Sequence, residues 1–145
     1  MGDYHILMRF DITADARTVE EAVSTRAGIA AWWSNHTELV VGGSDHGRLL
    51  VSFVDVPRPF EFELRTSRAR VEYVTGGFPP WWAGTTVRFD IAPNPEGEGT
   101  RLDFSHRDYA PDNAVIPIVT PAWAQILLRL KGYAETGEPQ PFFDF

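Results

Sequence analysis

The sequence predicts an α+β fold: a strand, two short helices, six strands in succession and a long C-terminal helix. In that β-α-α-β6-α order, a curved seven-stranded antiparallel sheet wraps around the last helix. Three observations carry the prediction. Segments between Thr37 and Arg107 alternate apolar and polar residues with turn-forming residues between them, their apolar residues fall on one face, and a capped apolar helix follows. The 145 residues suit one domain, 1–145, built on one core.

The first strand is Tyr4 to Ile12, where Tyr4, Ile6, Met8, Phe10 and Ile12 alternate with His5, Leu7, Arg9 and Asp11. Thr18 and Glu21 have capping-box spacing and open a first short helix through Val19, Ala22 and Val23. A second runs through Ile29 to Trp32 and Trp33, with Gly28 as a weak point. The six strands are placed at Glu38 to Val41, Arg48 to Val54, Pro59 to Arg65, Ala69 to Thr75, Thr85 to Ala92 and Thr100 to Arg107. Their inward set is Leu49, Val51, Phe53, Phe60, Phe62, Leu64, Val71, Tyr73, Val87, Phe89, Ile91, Leu102 and Phe104. The other face carries charges such as Arg48, Glu61, Glu63, Arg70, Glu72, Arg88, Asp90, Arg101 and Asp103, so one face is wet and the other needs a cover. The helix from Pro121 to Thr136 supplies it: Thr120 caps it, Gly137 and Pro139 stop it, and Trp123, Ile126, Leu127, Leu130, Tyr133 and Ala134 share a side. Pro117 and Pro121 leave Asp112 to Val119 unassigned.

Composition narrows the function classes. Twenty acidic residues against 13 Lys and Arg give a charge of -7, which disfavours nucleic acid as a partner. The absence of cysteine removes disulfides and thiolate chemistry and is compatible with a cytoplasmic location. Asp3 and Arg9 interrupt the N-terminal segment, and no apolar run approaches membrane-spanning length, so neither a signal peptide nor a membrane span is expected. Aromatic residues make up 13%, with 10 Phe, 5 Trp and 4 Tyr. Large rings on a concave face predict an incompletely filled interior.

Four motifs occur in one order along nearly the whole chain: Ile29-Ala30-Ala31-Trp32-Trp33-Ser34, Trp82 to Phe89, Gly99 to Arg107, and Trp123 through Leu127, Leu130 and Tyr133 to Gly137. In this arrangement the sequence resembles the START-like, or SRPBCC, superfamily of helix-grip proteins (Bet v 1-like), and within it the branch of homologues of the activator of heat-shock-protein-90 ATPase. The resemblance implies a mostly apolar cavity between sheet and helix, used across the superfamily for hydrophobic small molecules. It also implies two alternatives: a polyketide cyclase or dehydrase-like enzyme using that cavity, and a chaperone ATPase regulator.

The expected ligand-binding set is Trp33, Phe53, Phe62, Tyr73, Trp81, Phe89, Phe104, His106, Trp123 and Leu127, each of which core packing alone would also explain. His106 follows Leu102 and Phe104 on the inward face, where an imidazole can orient a ligand oxygen, move a proton, or simply satisfy a backbone group. Tyr73 offers a second polar group. Gly76 to Gly84, holding Phe78, Trp81 and Trp82, is too apolar for a solvated turn and reads as a lid, a packed loop or a homodimer contact. The segment Pro141 to Phe145 is expected to fold back onto the body. No nucleophile elbow, phosphate loop, dinucleotide fingerprint or zinc motif occurs, and His5, His36, His46 and His106 are scattered. No catalytic residue, metal or cofactor is therefore assigned. Glu61 and Glu63 read as a solvated pair.

Overall fold

The computed structural model describes residues 4–145; the reading that rested on Asp3 lies outside them. The chain runs β1 (Tyr4–Ile12), α1 (Ala16–Ser24), α2 (Arg26–Trp32), β2 (Thr37–Val41), β3 (His46–Val51), β4 (Phe60–Ser67), β5 (Arg70–Thr75), a 3-10 turn (Pro80–Trp82), β6 (Thr86–Pro93), β7 (Thr100–Tyr109) and α3 (Ile116–Thr136). The strands form one antiparallel sheet in the order β1-β7-β6-β5-β4-β3-β2, a six-strand meander onto which β1 adds at the β7 edge. The predicted fold class holds.

Period-two alternation sorts the side chains as expected. Leu49, Val51, Phe62, Leu64, Val71, Tyr73, Val87, Phe89, Ile91, Leu102 and Phe104 are buried under α3 and the α1–α2 pair. On the outer face, opposite charges meet across strands: Arg9 with Asp103 (2.7 Å), Arg70 with Asp90 (2.6 Å) and Arg88 with Glu72 (2.9 Å). Asp90 and Asp103 face each other directly in register, and Arg70 and Arg9 relieve that repulsion from either side. Glu61 pairs with Arg58 and Glu63 with Arg65, so these two carboxylates serve the surface.

Four local expectations change. The cap of α1 is Asp15, whose carboxylate accepts from the Thr18 backbone N–H at 2.8 Å; Thr18 lies inside the first turn. A carboxylate there also meets the positive end of the helix dipole. Gly28 is a close-packing position: a Cβ there would lie 2.6 Å from the Ala22 carbonyl oxygen and 2.7 Å from its Cα, because the α1 and α2 backbones touch. Strand β3 ends at Val51, leaving Phe53 on the following loop. Helix α3 begins at Ile116, five residues before the predicted start. Pro117 sits in the first turn, where its missing N–H removes no bond, and the Thr120 hydroxyl donates to the Ile116 carbonyl. Pro121, inside the helix, lies on its exposed side, where water reaches the carbonyl its ring leaves unpaired.

Residues 140–143 fold back as expected. The N–H groups of Gln140, Phe142 and Phe143 donate to the carbonyls of Ala31, Trp32 and Trp33, satisfying the C-terminal end of α2. Phe143 thereby inserts against Phe53, their centroids 4.8 Å apart.

Candidate functional site

Most of the concave face is filled. Trp33, 1% exposed, is the hub: its ring lies 5.2 Å from Trp123, 5.6 Å from Phe53, 5.8 Å from Phe62 and 6.2 Å from Tyr73. Phe89 bridges Tyr73 and Phe104 at 5.2 and 5.5 Å. The incompletely filled interior expected from the ring count is thus confined to one end, because offset and edge-to-face contacts let these rings close the space between sheet and helix.

At that end, between the first half of α3, the loop after β3 and the 3-10 turn, lies an apolar cavity of about 230 Å³. Its walls are Trp33 from the end of α2, Phe53, Val54 and Val56 from the loop after β3, Phe60 from the start of β4, Trp81 and Trp82 from the turn, Val119, Ala122, Trp123 and Ile126 from α3, and Phe143. Apart from indole N–H groups, these side chains carry no polar atom. Four residues of the predicted set, Trp33, Phe53, Trp81 and Trp123, line it. Phe62, Tyr73, Phe89, Phe104, His106 and Leu127 do not; they are buried in the core beyond it, as is Leu130. Trp81 is 45% exposed at the mouth, whereas Trp82 is buried and forms inner wall.

Neither predicted polar group reaches the cavity. The Tyr73 hydroxyl donates to the Val23 carbonyl at 2.5 Å, tying β5 to the end of α1, and burial pushes its pKa well up. His106 lies behind Trp82 and Trp123 in a dry cluster. Trp123 Nε1–H donates to His106 Nδ1 at 3.0 Å, which leaves that nitrogen unprotonated and places the ring proton on Nε2. Nε2–H then donates to Thr85 Oγ1 at 3.0 Å, and the Thr85 hydroxyl donates to the Trp82 carbonyl at 2.7 Å. The Tyr109 hydroxyl is also 3.0 Å from His106 Nδ1, so two donors share one lone pair. Burial lowers the His106 pKa to about 3, keeping the imidazole neutral, and raises that of Tyr109 against a smaller lowering from the neighbouring Trp82 indole N–H, which approaches the hydroxyl without completing a hydrogen bond. Trp82 meets the His106 ring edge-on at 4.5 Å, and its own Nε1–H, although buried, has no hydrogen-bond partner among the described residues.

Tyr109 escapes a sequence reading because strict alternation from His106 would turn it outward. A bulge reverses it: β1 pairs Ile6 with His106 but Tyr4 with Tyr109, and Asp108 takes φ 72° while its N–H donates to His5 Nδ1. Thr85 is hidden differently, as the residue just before β6 that closes the 3-10 turn. Val54, Val56, Val119, Ala122 and Phe143 have no signal beyond being apolar. The remaining histidines are apart: His36 stacks on Phe145 at 4.2 Å, and His46 bonds Asp45. Among the described residues no helix is long and apolar enough to cross a membrane.

Comparison with family models finds no match, and comparison with curated proteins finds none either. Among solved structures, the chain is similar to the Aha1 dimer from Colwellia psychrerythraea, with 23% identity over 92% of this chain and 98% of that one and a TM-score of 0.77. It is similar to DynU16, a protein in the dynemicin biosynthetic locus, with 20% identity over 99% of this chain and a TM-score of 0.73. Only 51% of DynU16 is covered, so the chain spans about half its length. A Staphylococcus saprophyticus protein matches with 12% identity, 97% and 98% coverage and a TM-score of 0.73. At such identities the likeness is one of fold. By its strand order and its gripped helix the chain has a helix-grip fold, and in that fold it is similar to the Colwellia Aha1 protein and to DynU16.

Proposed function

We propose that the protein binds a compact hydrophobic molecule in the cavity at the mouth of the grip. The observation that carries this reading is the 230 Å³ space walled by twelve apolar or aromatic residues, four of them tryptophans. A dry, apolar cavity of about 150 Å³ holds benzene, so this one suits a bicyclic ring of about ten non-hydrogen atoms. At about 0.6 kcal/mol per atom such a ligand binds with a Kd on the order of 50 µM. With His106 neutral, weakly basic and outside the cavity, proton-transfer catalysis at this site gains no support.

Indane serves as the probe. In nitrogen-15 NMR spectra, the indole signals of Trp33, Trp81, Trp82 and Trp123 should move on titration, with Trp32, outside the cavity, moving least. Ala122→Phe should fill the space and abolish the shifts. Unmoved signals at about 1 mM indane, twenty times the expected Kd, would refute the reading.

A second reading, self-association, is supported by α3. From Ile116 to Leu128 this helix carries no charged residue, Ile118 and Leu128 are 71% and 57% exposed, and the Colwellia protein was solved as a dimer. Sedimentation should show a mass rising above 16.3 kDa with concentration, reversed by Ile118→Lys with Leu128→Lys. A constant monomer mass would end this reading.

A further inference from the structure

Building on the proposed apolar cavity, we infer that its inner wall is also a donor site, which selects bicyclic ligands carrying one neutral hydrogen-bond acceptor such as a ketone. Three donors converge behind that wall: Trp82 Nε1–H, Trp123 Nε1–H and the Tyr109 hydroxyl. The cluster offers them the His106 Nδ1 lone pair, already approached by two of them at 3.0 Å each, and the Tyr109 oxygen. Trp82 Nε1–H, 5% exposed as a residue, lies near enough to the Tyr109 hydroxyl to influence its pKa but completes no hydrogen bond with it or with any other described residue. The Thr85 hydroxyl accepts from His106 Nε2–H, donates to the Trp82 carbonyl and lies 3.2 Å from the Thr75 hydroxyl, which can donate to its second lone pair, so it contributes no further acceptor. The set is short of one acceptor atom.

The placement of Trp82 makes that shortage reachable from the cavity. Its ring is cavity wall, stacked on Trp123 at 6.2 Å and 14°, and it also meets His106. It sits on a three-residue 3-10 turn beside the half-exposed Trp81. To meet a ligand in the cavity with its N–H, the Trp82 ring must turn within its contacts with Phe60, His106 and Trp123, and the inference requires that it does so when the ligand binds. The acceptor is uncharged, because His106 is held neutral and none of the groups bonded to it carries a charge. A carboxylate would lose its hydration without gaining a counter-ion.

The test compares 1-indanone with indane, which share the bicyclic frame and differ by one carbonyl. In a cavity with no donor, the dehydrated carbonyl makes indanone the weaker ligand. The inference expects indanone to bind at least threefold more tightly than indane by calorimetry, with the Trp82 indole proton shifting downfield for indanone alone. Trp82→Phe should reverse the order of the two ligands, and Tyr109→Phe, which keeps the Trp82 wall, should shrink the preference. Equal or weaker binding of indanone, or a preference that survives Trp82→Phe, overturns the inference while leaving the cavity reading intact. Binding of neither ligand removes both.

Discussion

The neutral burial of His106 makes the stability of the protein depend on pH in a calculable way. An unfolded histidine titrates near 6.5, whereas in the fold burial lowers the pKa to about 3. Because the folded value lies below the unfolded one, the unfolded chain binds the extra proton in this interval. Stability is therefore fully present above pH 6.5 and is lost as pH falls toward 3, at about 1.4 kcal/mol per unit. Between pH 7 and 4.5 the loss is about 2.5 kcal/mol, a large share of what holds a domain of this size together. Carboxylates drawn below their usual range by partners, such as Asp103 beside Arg9 and Glu135 beside Lys131, lose their contribution only at more acid pH. Urea unfolding of the wild type and of His106→Gln, followed by fluorescence from pH 7 to 4.5, isolates the effect. Glutamine does not titrate, and the other three histidines are common to both proteins and cancel in the difference. The variant should be less stable at pH 7 but should converge on the wild type by about 2.5 kcal/mol at pH 4.5. A constant difference between the two proteins would mean that the imidazole accepts a proton within the folded state, and the dry cluster would have to be abandoned.

Two glycines give opposite outcomes for the same substitution. At Gly28 an added Cβ meets three backbone atoms within 2.7 Å, which cannot yield without separating α1 from α2. The overpacking outweighs the helix-propensity gain of about 1 kcal/mol, and Gly28→Ala should lose about 2 kcal/mol in urea unfolding. At Gly132, inside α3, a Cβ meets nothing within 4 Å, so Gly132→Ala should gain about 0.5–1 kcal/mol. Melting temperatures moving in the same direction for both variants would contradict this account.

The fold was legible because it rests on signals that repeat. Residues at alternate positions such as Val71 and Tyr73, or Val87, Phe89 and Ile91, all turn inward, and one misread end does not alter the face of a whole strand. The helix caps were less so, since Asp15 and Thr18 are both good capping residues and only the path of the preceding chain chooses between them. Pro117 and Pro121 hid five residues of α3 because a proline at the start of a helix and one that breaks it look alike in sequence. The site was only half legible. Ring content announced that Trp33, Phe53 and the helix residue Trp123 belong to the space between sheet and helix. Which rings touch one another and which border empty space depends on the sum of their volumes against the curvature of the sheet, and Phe143 joins them from the far end of the chain. Tyr109 was out of reach, since one residue with positive φ reverses the face of those that follow.

The location of the cavity bears on how its selectivity can change. Trp82 and Trp123 are at once walls of the apolar space and neighbours of the His106 cluster, so a substitution that reshapes the pocket also alters a buried hydrogen-bond set. Phenylalanine at position 123 would keep much of the wall but remove the donor that fixes the His106 tautomer, coupling ligand affinity to stability. Ala122, Val119 and Val54 border the same space and take no part in that cluster, so they are the positions at which size and shape can vary freely. The unpartnered Trp82 N–H follows the opposite logic. A phenylalanine there would remove a buried, unsatisfied donor from an otherwise well-packed interior, and a purely structural ring would gain from the exchange. Its presence is intelligible if the missing acceptor arrives with the ligand.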